Sequence, residues 1–312
     1  MRTVVLVTGG VDSTLAWEHY EHDPEAVPLF VEYGQRYEFE EKRSVTALYG
    51  PRLQIASIRP ALKEEADRVY IRARNLILAG IATHYGERVV FGATGDATTA
   101  DKTPEQFEQL SRLLSLHCRA PITLESPFWN DTQFEIVSKY LRRGGDPERM
   151  HLTWSCYEPT PEHTPCLNCR ACFRRLTNFR AAGLDVPAPS DPITIEYLSK
   201  IHTYDPRRIW STLIGISTVA HDVIEYDIDG VLCNDGDHAT SPYASRVPNE
   251  SNITKLRKDY EQGEWIILNT ARPEIERGVT VEWLDTNKIP FHALLMNKPP
   301  ALIRFDDRCS TM

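Results

Sequence analysis

The chain has 312 residues, 41% of them hydrophobic and 25% charged, with a net charge of −9. That length can bury two cores in an ordinary globular protein. The acidic balance argues against broad nucleic-acid binding, which needs a basic face, and no apolar run approaches the ~20 residues of a membrane span.

Met1-Arg2 runs straight into Thr3 to Val7, a β-branched apolar stretch, instead of a targeting segment, so a cytoplasmic location is expected. The stretch ends in Thr8-Gly9-Gly10-Val11-Asp12-Ser13-Thr14, after which Leu15, Ala16 and Trp17 begin a helical pattern. A strand, a glycine turn and a helix in that order present backbone N–H groups to an anion. The alternative is a strand-to-helix turn with no ligand. The loop has neither G-x-x-x-x-G-K-[ST] nor G-x-G-x-x-G spacing. Val27 to Glu32 and Arg88 to Phe91 read as further buried strands, alternating with helices around Glu38 to Leu48 and Arg72 to His84. Alternation of this kind predicts an α/β fold with helices on both faces of a parallel sheet.

Cys156, Cys166, Cys169 and Cys172 follow, four of the seven cysteines within seventeen residues, spaced C-x9-C-x2-C-x2-C. Thiolates two residues apart reach one ion from a tight turn, and four close the tetrahedral shell of a structural Zn²⁺. Disulfide pairing or simple burial is the alternative, disfavoured by the odd cysteine count and the cytosolic character. Structural zinc contributes about 10–16 kcal/mol of apparent binding free energy in small sites. Arg170, Arg174, Arg175 and Arg180 read first as a solvated helix face, with a phosphate, carboxylate or nucleic-acid partner as the sharper alternative. His117, His151 and His163 are not needed as metal ligands.

The proline-rich Asp185 to Pro192 reads as a domain boundary, placing a first domain at 1–187, a linker with helices at 188–220 and a second domain at 221–312. Strands are expected at Val223 to Ile228, Trp265 to Asn269 and Leu302 to Phe305, which makes the second domain a small α/β unit. Asp227 and Asp229, two apart at a strand end, point to one side and can share one Mg²⁺.

Thr8 to Thr14, Tyr33-Gly34-Gln35-Arg36, Arg72-Ala73-Arg74-Asn75 and Thr153-Trp154-Ser155-Cys156-Tyr157 with the three later cysteines together resemble the 7-cyano-7-deazaguanine synthases over 1–187. The loop itself is similar to the [ST]-G-G-x-D-S loop of the ATP pyrophosphatase superfamily, which cuts ATP between the α and β phosphates. The resemblance implies a Rossmann-like domain with a zinc knuckle. It implies ATP held by Thr8, Gly9, Gly10, Asp12, Ser13 and Thr14, with Arg74 and Asn75 as further nucleotide contacts and Asp12 and Ser13 in catalysis. Its substrates are 7-carboxy-7-deazaguanine, ATP and ammonia; the amide formed first is dehydrated to the nitrile with a second ATP. Mg²⁺ stabilises the leaving group's charge. A homodimer is a further implication.

Three departures stand out. The family's D-x-S-G-Y-P-D-C-R run is replaced by Gly95-Asp96-Ala97-Thr98-Thr99-Ala100-Asp101-Lys102-Thr103-Pro104, Gln133 stands where a lysine is usual, and Tyr37 stands for a histidine. These changes fit an enzyme that stops at the amide, or one that joins the acyl group to a protein N-terminus or side-chain amine, as rebuilt relatives in antiviral gene clusters would. A non-catalytic zinc-knuckle adaptor is the expectation from another class.

Asp227-Ile228-Asp229-Gly230-Val231-Leu232, Thr270-Ala271-Arg272, Asn297-Lys298-Pro299 and Asp306-Asp307 resemble the capless phosphatases of the haloacid dehalogenase superfamily. The resemblance implies Asp227 as nucleophile, Asp229 as general acid/base, Thr270 and Lys298 as phosphate holders, and Asp306 or Asp307 as a further Mg²⁺ carboxylate. The competing expectation is a domain that docks or dimerises without turnover.

Overall fold

Val4 and Leu6 fall on one face of the first strand, Val5 and Val7 on the other, and both pairs are buried. A strand with two buried faces belongs inside a three-layer α/β arrangement. The computed structural model describes residues 1–59, 61–63, 71–96, 101–217, 222–234 and 242–298. The expected strand at 302–305, Asp306, Asp307 and the stretch 97–100 lie outside the described residues.

The first unit comprises Met1–Ile193 and Asp205–Gly215. Its elements run β1 (Thr3–Leu6), α1 (Val11–Glu18), β2 (Val27–Glu32), α2 (Glu38–Tyr49), β3 (Gln54–Ser57), α3 (Arg74–Ala82), β4 (Arg88–Val90), α4 (Pro104–Cys118), β5 (Thr123–Glu125), α5 (Gln133–Arg142), α6 (Pro147–His151) and α7 (Arg170–Ala181), followed by the start of α8 (Asp191–Leu198) and by α9 (Pro206–Ile216). The strands form one parallel sheet in the order β3-β2-β1-β4-β5. Val5, Phe30 and Val90 pack with Leu15, Val45, Ile136 and Phe179 on one face; Val4, Leu29 and Val89 pack with Leu78, Ala79, Phe107 and Leu114 on the other.

The order reverses between β1 and β4, so the chain leaving these strands diverges and opens a crevice at their C-terminal ends, where open α/β sheets bind ligands. The glycine loop follows β1 and Gly92 to Asp96 follow β4. The two come so close that a Cβ on Gly92 would lie 2.4 Å from the Asp12 carbonyl carbon and 2.5 Å from the Ser13 nitrogen.

The second unit comprises Thr194–Tyr204 and Ile216–Met312. It is built on β6 (Val223–Tyr226), α10 (Glu250–Glu261), β7 (Trp265–Asn269), α11 (Arg277–Thr286) and β8 (Ala293–Leu295), with a parallel sheet ordered β6-β7-β8. Its core gathers Tyr226, Ile228, Ile253, Leu256, Ile266, Leu268, Trp283 and Leu284. No helix among the described residues is long and apolar enough to cross a membrane.

Gly92→Ala is expected to cost about 1–3 kcal/mol, because the added methyl meets backbone rather than a movable side chain. Equilibrium denaturation measures this.

Candidate functional site

Gly9 has φ +70°, and a Cβ there would lie 2.7 Å from the Ser44 hydroxyl, so both conformation and space require glycine. Its carbonyl accepts from the Trp154 N–H at 2.7 Å and from the Ser44 Oγ at 3.2 Å; Ser44 also donates to the Leu152 carbonyl at 2.7 Å. Gly10 caps α1 with no side-chain bond to the first turn, leaving that turn's N–H groups for an anion. The Thr8 N–H donates to Ser13 Oγ at 3.1 Å, and Ser13 Oγ donates to the Gly10 carbonyl at 3.1 Å. Thr14 turns away from the loop toward the Tyr49 hydroxyl, 3.1 Å distant and buried.

Asp12 accepts at Oδ1 from Gln133 Nε2 at 2.6 Å. Burial pushes its carboxyl above the ordinary range; Arg174 and Gln133 pull it back, Asp96 adds to the rise and Lys102 opposes it. Arg174 is bound by Asp96 at 3.0 and 3.1 Å and by Thr94 at 3.2 Å. Burial and the neighbouring Arg74 hold the Lys102 ammonium below its usual range, against the pull of Asp12. Arg74 hydrogen-bonds Tyr33 and also faces Tyr37 and Tyr157, whose rings are 5.5 Å apart; Asn75 Nδ2 donates to Asp101 at 2.7 Å. Burial raises the Glu41 carboxyl to about 8, against the lowering pulls of Gln35, at 2.7 Å, and of Arg74.

The expected solvated face of α7 holds for Arg170, which is exposed, and is corrected for the other three arginines. Arg174 is held by Asp96, Arg175 bonds Thr153 Oγ1 and the Met150 carbonyl, and Arg180 Nε donates to the Gly215 carbonyl at 2.7 Å. Asp96 and Lys102 fall within the rebuilt segment Gly95 to Pro104, the one sequence signal that they carry a role, and Arg174 takes in Asp96 the carboxylate partner that the sharper alternative expects.

The four cysteine sulfurs lie within 4.8 Å of one another. A tetrahedral Zn²⁺ with Zn–S of about 2.3 Å sets its sulfurs about 3.8 Å apart; the Cys156–Cys166 and Cys166–Cys172 separations are 3.5 and 4.0 Å. N–H groups of Glu158 and Cys166 donate to Cys156 Sγ at 3.3 Å, and that of Asn168 to Cys166 Sγ at 3.4 Å, bonds that favour thiolates. The cluster therefore fits zinc. His163 stays outside it, its Nδ1 2.6 Å from Glu40.

In the second unit the two aspartates have separate partners. Asp227 Oδ2 lies 2.8 Å from Lys298 Nζ, while its Oδ1 accepts from the Ile228 N–H at 2.8 Å. Asp229 accepts from Arg272 Nε and Nη2, both at 2.8 Å, with Thr270 Oγ1 at 3.5 Å and Arg246 Nε at 3.9 Å. Burial pushes Asp229 up, but Arg272, Cys233 and Arg246 together leave its carboxyl below the ordinary range. Arg272 is itself buried, with its guanidinium carbon 4.3 Å from the Tyr243 ring centre. Thr270 and Lys298 meet because the Lys298 N–H donates to the Thr270 carbonyl at 2.9 Å.

The family model described as queuosine biosynthesis protein QueC matches residues 44–183. The 7-cyano-7-deazaguanine synthase of Erythrobacter litoralis is 28% identical over 227 residues, covering 61% of this chain and 94% of that protein. The synthase of the same name from Methanoculleus marisnigri is 30% identical over 220 residues, covering 60% and 97%. That of Archaeoglobus fulgidus is 28% identical over 241 residues, covering 67% and 97%.

Two outcomes are expected. Cys169→Ser should lose bound zinc, read by elemental analysis, and lower the thermal midpoint, since the knuckle follows directly on the Trp154 that holds Gly9. Glu41→Gln should be nearly neutral at pH 4 and stabilising at pH 8. The Glu41 carboxyl is raised in the folded state, so its contribution is present below the unfolded value near 4.5 and is lost as pH rises through about 8; denaturation at the two pH values decides.

Proposed function

Since the chain belongs to the QueC family of 7-cyano-7-deazaguanine synthases, we propose that it is an ATP-dependent ligase that activates the carboxylate of 7-carboxy-7-deazaguanine and couples it to an amine. A carboxylate oxygen of the substrate attacks the α-phosphorus of ATP, the bond to the bridging oxygen breaks, and pyrophosphate leaves. The amine nitrogen then attacks the acyl carbon of the adenylate, expels AMP and loses a proton, giving an amide. The observation that carries this reading is the uncapped first turn of α1 beneath a glycine loop, with Arg174 and Lys102 converging on Asp12.

In this reading the N–H groups at the start of α1, with Thr8, Gly9, Gly10 and Ser13, hold and orient the departing pyrophosphate, because a helix N-terminus favours negative charge; Thr14, turned to Tyr49, braces the helix start instead. Asp12 orders the cations around the phosphates. Arg74 and Asn75, on the far rim, contact the nucleotide or the purine beside Tyr33, Tyr37 and Tyr157. Zinc, when bound by Cys156, Cys166, Cys169 and Cys172, supplies rigidity and no chemistry. Mg²⁺, when bound, supplies charge neutralisation on the phosphates.

The amine is ammonia or an amine of a protein. A neutral Gln133 beside Asp12 favours an enzyme that releases the amide or a conjugate over one that dehydrates the amide, since the second activation must stabilise another polyanion with one cation fewer.

For the second unit we propose a phosphatase of the haloacid dehalogenase type. Asp227, oriented by Lys298, attacks the phosphorus of a phosphate monoester; the P–O bond to the leaving group breaks and water later hydrolyses the aspartyl phosphate. Thr270 and Lys298 hold the phosphate oxygens. Asp229 serves as acid/base only on release from Arg272, which otherwise keeps it ionised. Mg²⁺ here would be held by Asp227 with Asp306 or Asp307, and Asp229 would join only on that same release.

The test is incubation with ATP, Mg²⁺, 7-carboxy-7-deazaguanine and ammonium, following AMP, pyrophosphate and the purine's mass. AMP with an amide is expected, and Asp12→Ala with Ser13→Ala should abolish it while zinc stays bound. Asp227→Asn should end hydrolysis of a generic phosphate monoester without changing AMP formation. No AMP from the intact protein would sink the ligase reading.

A further inference from the structure

Gln133, Asn178 and Ser211 are 7%, 2% and 1% exposed and stand on three helices, α5, α7 and α9. Gln133 Nε2 donates to Asp12 Oδ1 at 2.6 Å; Gln133 Oε1 accepts from Asn178 Nδ2 at 2.9 Å; Asn178 Oδ1 accepts from Ser211 Oγ at 3.3 Å. The direction of this chain is set at one end. An ionised carboxylate only accepts, so Gln133 must turn its NH₂ to Asp12, its oxygen then faces the Asn178 NH₂, and the Asn178 oxygen is left for the Ser211 hydroxyl. Each amide orientation fixes the next, and all three side chains are buried; Ser211 Oγ shares its one proton between the Asn178 oxygen and the Arg208 carbonyl, the latter at 3.0 Å.

From this geometry we infer that Gln133 and Asn178 are positioning residues for Asp12, and that α9, which follows the region matched by the QueC model, buttresses the catalytic loop through Ser211. The inference rests on the ligase reading of the first unit. Asp12 sits in the first turn of α1, where the backbone turns its N–H groups toward an anion. A carboxylate left loose there would swing toward Arg174 or Lys102 and neutralise the cations the phosphates need. A neutral amide on Oδ1 holds it in one rotamer without adding charge. Close packing fixes the far end of the relay: a Cβ on Gly215 would lie 2.1 Å from the Thr177 carbonyl oxygen, and Arg180 grips the Gly215 carbonyl at 2.7 Å. Arg207 Nη1 adds a bond from α9 to the Asn130 carbonyl at 2.7 Å, three residues before Gln133.

The groups facing Asp12 are Arg174 from α7, Asp96 after β4, Lys102 before α4 and Gln133 from α5. Gln133 is one of those that hold its carboxyl down, so removing the amide moves the Asp12 titration to higher pH.

The experiment compares the intact protein with Gln133→Leu and Gln133→Glu. In pyrophosphate release, Gln133→Leu should lower kcat by about 10- to 100-fold with KM for ATP within about twofold, the signature of lost orientation instead of lost binding. The acidic limb of its pH profile should move to higher pH. Gln133→Glu keeps the shape and places two carboxyls together, so its activity should recover as pH falls and the pair takes up a proton. An unchanged acidic limb in Gln133→Leu, a loss confined to KM, or a wild-type pH profile in Gln133→Glu would each overturn the inference. If the unmutated protein makes no AMP, the substrate reading fails on its own. The Asp12 carboxyl resonance, assigned with Asp12→Asn and titrated by ¹³C NMR, still decides the relay: a titration unmoved by Gln133→Leu ends it.

Discussion

The carbonyl of Gly9 carries the first unit's architecture. It takes the Trp154 N–H at 2.7 Å and the Ser44 hydroxyl at 3.2 Å, and so joins the loop after β1, helix α2 and the segment that leads into the cysteines. The left-handed turn at Gly9 points that carbonyl away from the anion side, and the same turn aims the N–H groups of α1 toward it. The bond explains why a cysteine cluster that fits zinc is built next to the glycine loop. Trp154 Nε1 donates to the Cys156 carbonyl at 2.9 Å, so the knuckle fixes the residue that fixes the loop. A metal with several kcal/mol of binding free energy can hold rigid a loop whose own contacts are a few backbone bonds.

Helices α5 and α7 then supply what the loop lacks. Gln133 opens α5 behind a capping box formed by Thr132 and Glu135, which fixes the helix start and with it the amide that reaches Asp12. Arg174, from the helix that begins at Cys169, reaches Asp96 and Thr94 at the end of β4. Cation and carboxylate thus come from α7 and from the end of β4, two elements remote from each other in sequence.

Much of this was legible in the sequence because its signals are local. Strand β2 falls on Val27–Glu32 as expected, and β7 on Trp265–Asn269, since each is a run of mostly apolar residues with both faces buried. Strand β3 was not legible: Gln54–Ser57 lies at the sheet edge with three of its four residues exposed, so it carries no apolar run. Strands β5 and β8 are three residues each, too short to show a period. Gln133 stood out as a departure from a family pattern, but its partner lies 121 residues away and no spacing rule reaches it. A carboxylate partner for Arg174 is open from the sequence, but which one is not, since Asp96 lies 78 residues before it.

Charge counts tie the two proposed chemistries together. Around the glycine loop the described cations are Arg74, Lys102 and Arg174, and the described carboxylates are Asp12, Asp96 and Asp101, with the raised Glu41 largely protonated at neutral pH: three against three. Around Asp227 the described cations are Arg246, Arg272 and Lys298, and the described carboxylates are Asp227, Asp229 and Glu225, the last 3.7 Å from Lys298: again three against three. Among the described residues each site is close to electroneutral, which lets buried ions persist without a large desolvation cost. A polyphosphate or a phosphate dianion entering either one breaks that balance. Two responses are open, a divalent cation carried in with the anion or a proton taken up by a carboxylate already poised to accept it. Asp12 serves the Gln133 relay as an ionised acceptor, and Arg272 holds Asp229 below the ordinary range, so neither takes the second route. On the proposed chemistry both units therefore rely on a divalent cation carried in with the anion.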